Sequence, residues 1–478
     1  MEESKKTQGL IYKKSDFENW YPELILKTEI ADYSAVSGCL VIRPYGYAIW
    51  EKVVKVIDEN LKKMGLHNAY FPLLIPESFL KKEEEHVKGF SPEVAWVTET
   101  GDTKLSERLA VRPTSETIIY PSYSKWIKSY TDLPIRLNLW NNVLRWEFKH
   151  PKPFLRGREF LWNEGHTAFA TKEEAEKEVK EVLDMYYDFV NDYMALASQK
   201  SRKTESEKFA GAIFTNSIEC MLPDGKMAQG PDAHFDGQNF ARAFDIKFID
   251  KDGEIKYVWQ NTFAISTRML GLMFAMHSDD KGLVLPPKLA PTQIVIVPIY
   301  TDKEKKKVLT EAKKIAKSIS KKYSIELDTR ENYTPGWKFH EWEMKGIPLR
   351  IEIGPRDIKN KSVVVARRDT GEKVNVIIKE LSNTLEKEIY NLNKRLYEKS
   401  KNFLEHHTKM ANSFEELKRN IDGNRILINW CGSAECETKI KEETGAKSTG
   451  IPFDIEAKGN CAICGKTAKH AVYFAKTI

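Results

Sequence analysis

Residues 135–170 constrain the fold more than any other stretch. They read as two strands, 135–149 and 158–170, around a loop rich in Pro, Lys and Arg. On the returning strand Trp162, Glu164 and His166 recur every second residue, so all three face one way. A carboxylate and an imidazole on a purely structural face would be buried without evident partners, which is costly. The pattern asks instead for a sheet with one face turned to a pocket, an apolar wall beside an acceptor for a substrate ammonium. On the outgoing strand Arg145 and Glu147 share a face in the same manner. Arginine suits bidentate phosphate binding, and the loop 148–157 adds His150 and Arg156. A surface hairpin with salt bridges is the alternative for this half.

The elements around the hairpin place it in a mixed α/β unit of about 287 residues. A helix is expected over 47–64 with Gly65 as its C-cap. A short apolar strand follows at 69–75, where Pro72 demands an edge or an interface. Thr114-Ser115-Glu116 follows Arg112-Pro113 and opens a helix over 115–130; alone it reads as an ordinary helix N-terminus. Thr171 to Glu174 form a capping box for a helix running to about Ser198. Arg268, after Ser266, precedes a helix containing Gly271. Pro286 and Pro287 mark a boundary. From 288 to 380 strands (293–299, 325–328, 348–353, 362–367) alternate with a lysine-rich helix (302–323) and a Gly/Pro loop, which reads as a small α/β domain. The stretch 381–409 is a connector, from an amphipathic helix over 379–405, and 410–478 is a small C-terminal module. Both lysine-rich helices read as solvated faces.

Four of the six cysteines lie in that module. Cys431-x4-Cys436 and Cys461-x2-Cys464, with 24 residues between the pairs, have the spacing of a closed structural Zn²⁺ site. Cys39 and Cys220 stand alone, so a secreted disulfide framework is excluded. The polar N-terminus lacks an apolar signal region and no stretch reaches the ~18 apolar residues of a membrane span. A cytoplasmic protein with no membrane association is expected. The formal net charge of +6 permits a nucleic-acid partner without arguing for one.

Assembled, these words resemble a family. Pro72 after its helix, the Arg145…Glu147…Arg156 hairpin, and Arg268 with Gly271 are similar to motifs 1, 2 and 3 of class II aminoacyl-tRNA synthetases. VRPTSET (111–117) resembles the Thr-x-Glu loop of the group containing prolyl, seryl and threonyl enzymes. RWEFKHPKPFLRGREFLWNEGH (145–166) resembles the prolyl-tRNA synthetases of the archaeal and eukaryotic type, and the likeness covers nearly the whole chain. It implies an α/β (α+β) fold: an antiparallel-sheet catalytic domain (1–287), an anticodon-binding α/β domain (288–380), the connector and a zinc-containing C-terminal domain (410–478). It implies ATP-dependent activation of L-proline and transfer to tRNA(Pro), with Mg²⁺ accompanying ATP.

Carried over residue by residue, Arg145 and Arg268 are the catalytic arginines. Arg145, Glu147, Arg156, Gln229, Ser266 and Arg268 attend ATP. Thr114, Glu116, Arg145, Trp162, Glu164, His166 and Phe209 line the proline pocket. In EWEMKGIPLRIEIGPRD (341–357), Glu343, Arg350 and Arg356 match residues that read anticodon bases. The chemistry suits these types, because carboxylate attack on the α-phosphate needs positioning and charge neutralisation, not a general base. A homodimer is implied as well.

Two departures stand out. The family's Gly-Thr-Ser-His stretch is here Gly230-Pro231-Asp232-Ala233-His234, where Ala233 puts a pocket hydrogen bond in doubt, and the chain ends in Ile478 where Tyr is common. Synthetases for threonine, serine, glycine or histidine are disfavoured by the Trp162/Glu164/His166 face. A non-catalytic paralogue would be expected to lose Arg145, Arg156 or Arg268. Arg145 and Arg268 are only 123 positions apart, too close for a hydrolytic editing domain. Mischarging with alanine or cysteine is therefore expected, with correction left to a separate trans-acting deacylase.

Overall fold

A computed structural model describes residues 9–86, 93–147 and 150–478. Residues 1–8, and Phe148 and Lys149 of the hairpin loop, lie outside it. The expected hairpin is the spine of the molecule. Ile135–Leu144 pairs antiparallel with Glu159–Phe169 from Ile135↔Ala168 to Leu144↔Glu159. The second strand then pairs with Trp259–Ser266, which continues to Met227–Gly237, Phe214–Met221 and Ser198–Arg202, all antiparallel.

One face of this sheet is apolar and closed. The helix Lys172–Asp192 lies on it, opened by the expected capping box: Thr171 Oγ1 accepts from Glu174 N–H at 3.3 Å, and Glu174 Oε2 accepts from Thr171 N–H at 3.1 Å. Val179, Val182, Tyr186 and Val190 belong to the cluster beneath it, each side chain contributing roughly 1.5–3 kcal/mol by burial. The ring of Phe263, on the neighbouring strand, lies over Gly165, where a Cβ would stand 1.9 Å from it. The opposite face is only partly covered, by Glu116–Trp126 and a cluster containing Tyr120, Tyr123, Phe240 and Phe244. A cavity fills the remainder.

Four sequence expectations shift. The strand 69–75 is broken into His67–Asn68 and Leu74–Pro76, because Pro72 offers no N–H for a ladder. The outgoing hairpin strand ends at Leu144, so Arg145 and Glu147 sit just beyond it. The long helix stops at Asp192 rather than Ser198, because the chain turns there to start Ser198–Arg202. The Gly/Pro loop before residue 348 contains a helix, Pro335–Met344, with Pro335 in its first turn and Thr334 accepting the Trp337 N–H at 3.3 Å.

Residues 294–377 build a five-stranded sheet in the order Ile325–Leu327, Ile294–Pro298, Leu349–Ile353, Ser362–Arg367, Lys373–Ile377. The first three strands in this order pair in parallel, and the last two join on in antiparallel fashion. The helix Leu381–His406 leads from it to the C-terminal strands. These do not stand apart: Lys447–Pro452 pairs with Ser198–Arg202 through Ile451↔Arg202 and Pro452↔Ser201, making one eleven-stranded sheet. The last residues return as well, with Met227 N–H bonded to Lys476 O at 2.9 Å and Ile478 N–H to Met227 O at 3.3 Å. No helix among the described residues is long and apolar enough to cross a membrane.

Candidate active site

Two adjoining cavities lie on the open face of the sheet, of about 370 Å³ and 460 Å³. Arg145, Trp162, Gln229 and Asp232 line both. The sizes suit small ligands.

The smaller cavity is the cationic one. Arg268 enters it from the first turn of the helix Arg268–His277, anchored by Nε–H to Leu155 O at 3.2 Å and by a guanidinium N–H to Gln229 O at 3.4 Å. Burial and the nearby Arg145 pull its pKa below the usual arginine value, with Asp232 and Glu219 offsetting part of that effect. Arg145 donates its Nε–H to Pro113 O at 2.9 Å and lies 5.3 Å from the Trp162 ring centroid. Ser266 lines this cavity and its hydroxyl accepts the Arg268 N–H at 3.3 Å. Gly271 lets the helix pack on the loop, since a Cβ there would meet Leu155 at 2.9 Å. Arg156 is exposed and lines a neighbouring cavity beside residues 33–40, and Glu147 lines the rim of the larger cavity.

The larger cavity holds Thr114, Glu116, Trp162, Glu164, His166 and Phe209 together. The structure changes the part Glu164 plays. Its carboxylate accepts from Ser115 N–H and Thr114 Oγ1, both at 3.1 Å, from Asn141 Nδ2 at 3.0 Å, and from the Ser115 hydroxyl. With its lone pairs taken, it holds the turn that presents Thr114 and Glu116 rather than standing free as an acceptor for an ammonium. The single hydrogen of the Thr114 hydroxyl is shared between the Glu116 and Glu164 carboxylates. His166 Nδ1 is 3.4 Å from Tyr120 Oη, while its buried Nε2 has no hydrogen-bond partner among the described residues.

The floor contains groups that the sequence reading passed over. His166, Thr262, His234 and Thr215 stand opposite one another across four strands. Asp232 and His234 both line the larger cavity. Ala233 belongs to the core cluster on the other face, so the departure that reaches the pocket is Asp232 and not Ala233. Asp236 is fully buried beside Thr262, and burial pushes its pKa well above the usual carboxylate range. Burial alone would lower the His234 pKa, but Asp232, with Asp236 and Glu116, outweighs it and raises the imidazole above its ordinary value. The signal was available: residues 232, 234 and 236 alternate as 162, 164 and 166 do.

At the far end of the sheet the four cysteine sulfurs lie within 4.8 Å of one another. Cys431 and Cys436 are 3.7 Å apart and Cys431 and Cys464 3.6 Å. Tetrahedral thiolates about 2.3 Å from a zinc ion would be separated by roughly 3.8 Å, so the cluster could hold a metal of that size.

In the five-stranded domain Arg350 bonds Glu352 at 2.9 Å and covers the Phe339 ring at 4.2 Å. Glu343 accepts from Lys281 Nζ at 3.1 Å, and Arg356 is exposed on the helix Pro355–Asn360. A feature with no mark in the sequence reading lies on this domain: Tyr333 and Trp337 stack with centroids 3.8 Å apart, and Arg330 lies over both rings.

Comparison with known proteins matches this architecture piece by piece. Residues 96–277 match the tRNA synthetase class II core domain (G, H, P, S and T), residues 293–388 an anticodon binding domain, and residues 414–478 the prolyl-tRNA synthetase C-terminal domain. The proline–tRNA ligase of Natranaerobius thermophilus is 50% identical over 455 residues, 95% of this chain and 94% of that one. The chain belongs to the proline–tRNA ligases. The ligase of Symbiobacterium thermophilum is 46% identical over 99% of both chains. A crystal structure of prolyl-tRNA synthetase from Cryptosporidium parvum, complexed with halofuginone and AMPPNP, superposes with a TM-score of 0.94 at 41% identity, covering 98% of this chain and 100% of that one. This proline–tRNA ligase therefore activates proline with ATP and Mg²⁺ and esterifies it to tRNA(Pro).

Proposed function

We propose that the two joined cavities are the ATP and proline subsites of one adenylate-forming centre. The observation that carries this is their shared wall: Arg145, Trp162, Gln229 and Asp232 face both. Proline lies in the larger cavity with its ring against Trp162, His166 and Phe209, and its ammonium at Thr114 and Glu116. Arg145 holds its carboxylate beside the α-phosphate. That carboxylate attacks the α-phosphorus in line and pyrophosphate leaves, while Arg145 and Arg268, with Mg²⁺, neutralise the charge on the phosphates. Gln229 and Ser266 position the nucleotide, and Arg156 and Glu147 close on it from the rim. The Cryptosporidium structure, which shares this fold, was solved as a complex with AMPPNP, which supports a nucleotide site in this chain. Amino-acid-dependent ATP–pyrophosphate exchange across all twenty amino acids tests the reading: exchange with proline is expected, and robust exchange with threonine or glycine but not proline would overturn it.

The remaining assignments follow from the surfaces around this centre. Cys431, Cys436, Cys461 and Cys464 bind one structural Zn²⁺, which cross-links the C-terminal module. Glu343, Arg350 and Arg356 read the anticodon by base edges, and the Arg330–Tyr333–Trp337 stack offers an adjacent platform for an unstacked base. The domains divide near 287, 380 and 409. The exposed Tyr70, Leu73 and Leu74 at the broken strand form a homodimer contact. The enzyme works in the cytoplasm, and a separate trans-acting deacylase clears misacylated tRNA. Preformed alanyl-tRNA(Pro) should survive incubation with this chain as it does without enzyme.

A further inference from the structure

His234 sits in the middle of a chain of contacts that joins the two cavities. Its Nε2 stands 3.4 Å from Asp232 Oδ1, and its Nδ1 is 2.8 Å from Thr215 Oγ1. Thr215 Oγ1 also accepts the backbone N–H of Phe209 at 3.0 Å. At the other end Asp232 Oδ2 accepts from Gln229 Nε2 at 2.5 Å. The contacts run unbroken from Gln229 to the backbone of Phe209. The imidazole also packs against the Phe209 ring, with centroids 4.9 Å apart.

Phe209 needs such a hold. It lies in a segment between the strands Ser198–Arg202 and Phe214–Met221 that has no ladder of its own. Its ring forms part of the cavity wall, so the width of the pocket depends on where that segment rests. The groups facing His234 are Asp232 and Asp236 on its own strand, Glu116 on the helix Glu116–Trp126, and Thr262 and His166 across the floor, with Glu207 and Lys208 at the cavity mouth. Asp232 alone of the acids is paired with the ring. An acceptor at Nε2 fixes the orientation of the imidazole and leaves Nδ1 aimed at Thr215.

We infer that Asp232 is a positioning residue for amino-acid selection: through His234 and Thr215 it fixes the Phe209 wall against which the ring of the substrate is gauged. This rests on the assignment of the larger cavity to proline, and the experiment separates the two. Pyrophosphate exchange is measured on the full-length enzyme with proline, with pipecolate (a ring one methylene larger) and with azetidine-2-carboxylate (one smaller). Asp232→Asn and Thr215→Val should each raise the KM for proline about 10-fold, the worth of one charge-assisted hydrogen bond, and Thr215→Val, which leaves the Gln229–Asp232 contact whole, should leave the KM for ATP unchanged. Both should narrow the preference for proline over the two analogues. Thr215→Ser should restore the wild-type values. The double variant Asp232→Asn/Thr215→Val should be no worse than either single one, because both cut the same chain. Additive losses, parallel rises in the KM for proline and ATP in Thr215→Val, or an unchanged ring-size preference would overturn the relay. Trp162→Ala distinguishes the failures. If it raises the KM for proline while the relay variants do not, the relay is wrong and the pocket stands; if it too has no effect, the pocket assignment itself fails.

Discussion

The two ends of the eleven-stranded sheet solve opposite problems. At the cysteine end the polar ligands turn toward one another: Cys431, Cys436 and Cys461 are buried and their sulfurs converge with that of Cys464. At the catalytic end the polar groups are left underused. Arg145 and Arg268 repel each other, and His166 Nε2 is unpaired among the described residues. The sheet and the packing rules are the same, so the difference is one of purpose. A closed polar cluster stabilises a fold, whereas an open one stores interactions for a ligand. Glu164 shows the boundary between the two inside the active site, a carboxylate saturated by the protein so that its neighbours Thr114 and Glu116 are held ready.

The largest expected effect falls at the open end. Arg145→Ala should reduce proline-dependent exchange by roughly 10²–10³-fold while leaving the thermal midpoint near that of the wild type; equal losses of stability and activity would mean that the arginine is structural. The closed end should behave in reverse. Metal analysis should find about one Zn²⁺ per chain, and Cys461→Ser or chelation should lower the thermal midpoint by about 5 °C or more before exchange by the folded fraction declines. A protein isolated with two disulfides and no zinc would break the comparison.

The five-stranded domain provides an intermediate case. Arg350→Ala should weaken charging of tRNA(Pro) by about 10–100-fold, the worth of a base-reading arginine, and spare proline activation, because the two steps use separate domains. Matching losses in both assays would place Arg350 in the scaffold.

The smallest effect concerns His277, at the C-terminal end of the Arg268 helix. It is fully buried, with Nε2 2.8 Å from Met194 O, and burial lowers its pKa to about 3. Its folded pKa lies below the unfolded value of about 6.5, so the unfolded chain binds the extra proton. Stability from this group is complete above that value and falls by about 1.4 kcal/mol per pH unit as pH drops from 6.5 toward 3. Denaturation midpoints measured between pH 7 and 5 should decline in the wild type and decline less in His277→Gln.

Local sequence determined much of this protein. Alternation at 162, 164 and 166 fixed a strand and its working face, the Thr171–Glu174 capping box fixed a helix start, and the spacing of four cysteines fixed a candidate metal site. These signals are short-range, because side-chain direction repeats with the backbone period. Where chemistry and fold-breaking residues compete, the local signal misled. Pro72 broke a strand that its apolar neighbours suggested, and Pro335 opened a helix in a stretch that reads as a loop.

Tertiary structure decided the rest. Period two names the face of a strand but not its neighbour, since register between distant strands is set by the whole sheet. Only that register brings His166, Thr262, His234 and Thr215 into one row, turns Ala233 away and leaves Asp232 at the junction of two cavities. Only folding brings Ser115 and Asn141, from separate elements, onto the lone pairs of Glu164. And only the pairing of Ile451 with Arg202 makes the cysteine-bearing module and the catalytic core a single sheet, because an edge strand's free hydrogen bonds specify that a partner is needed without specifying which.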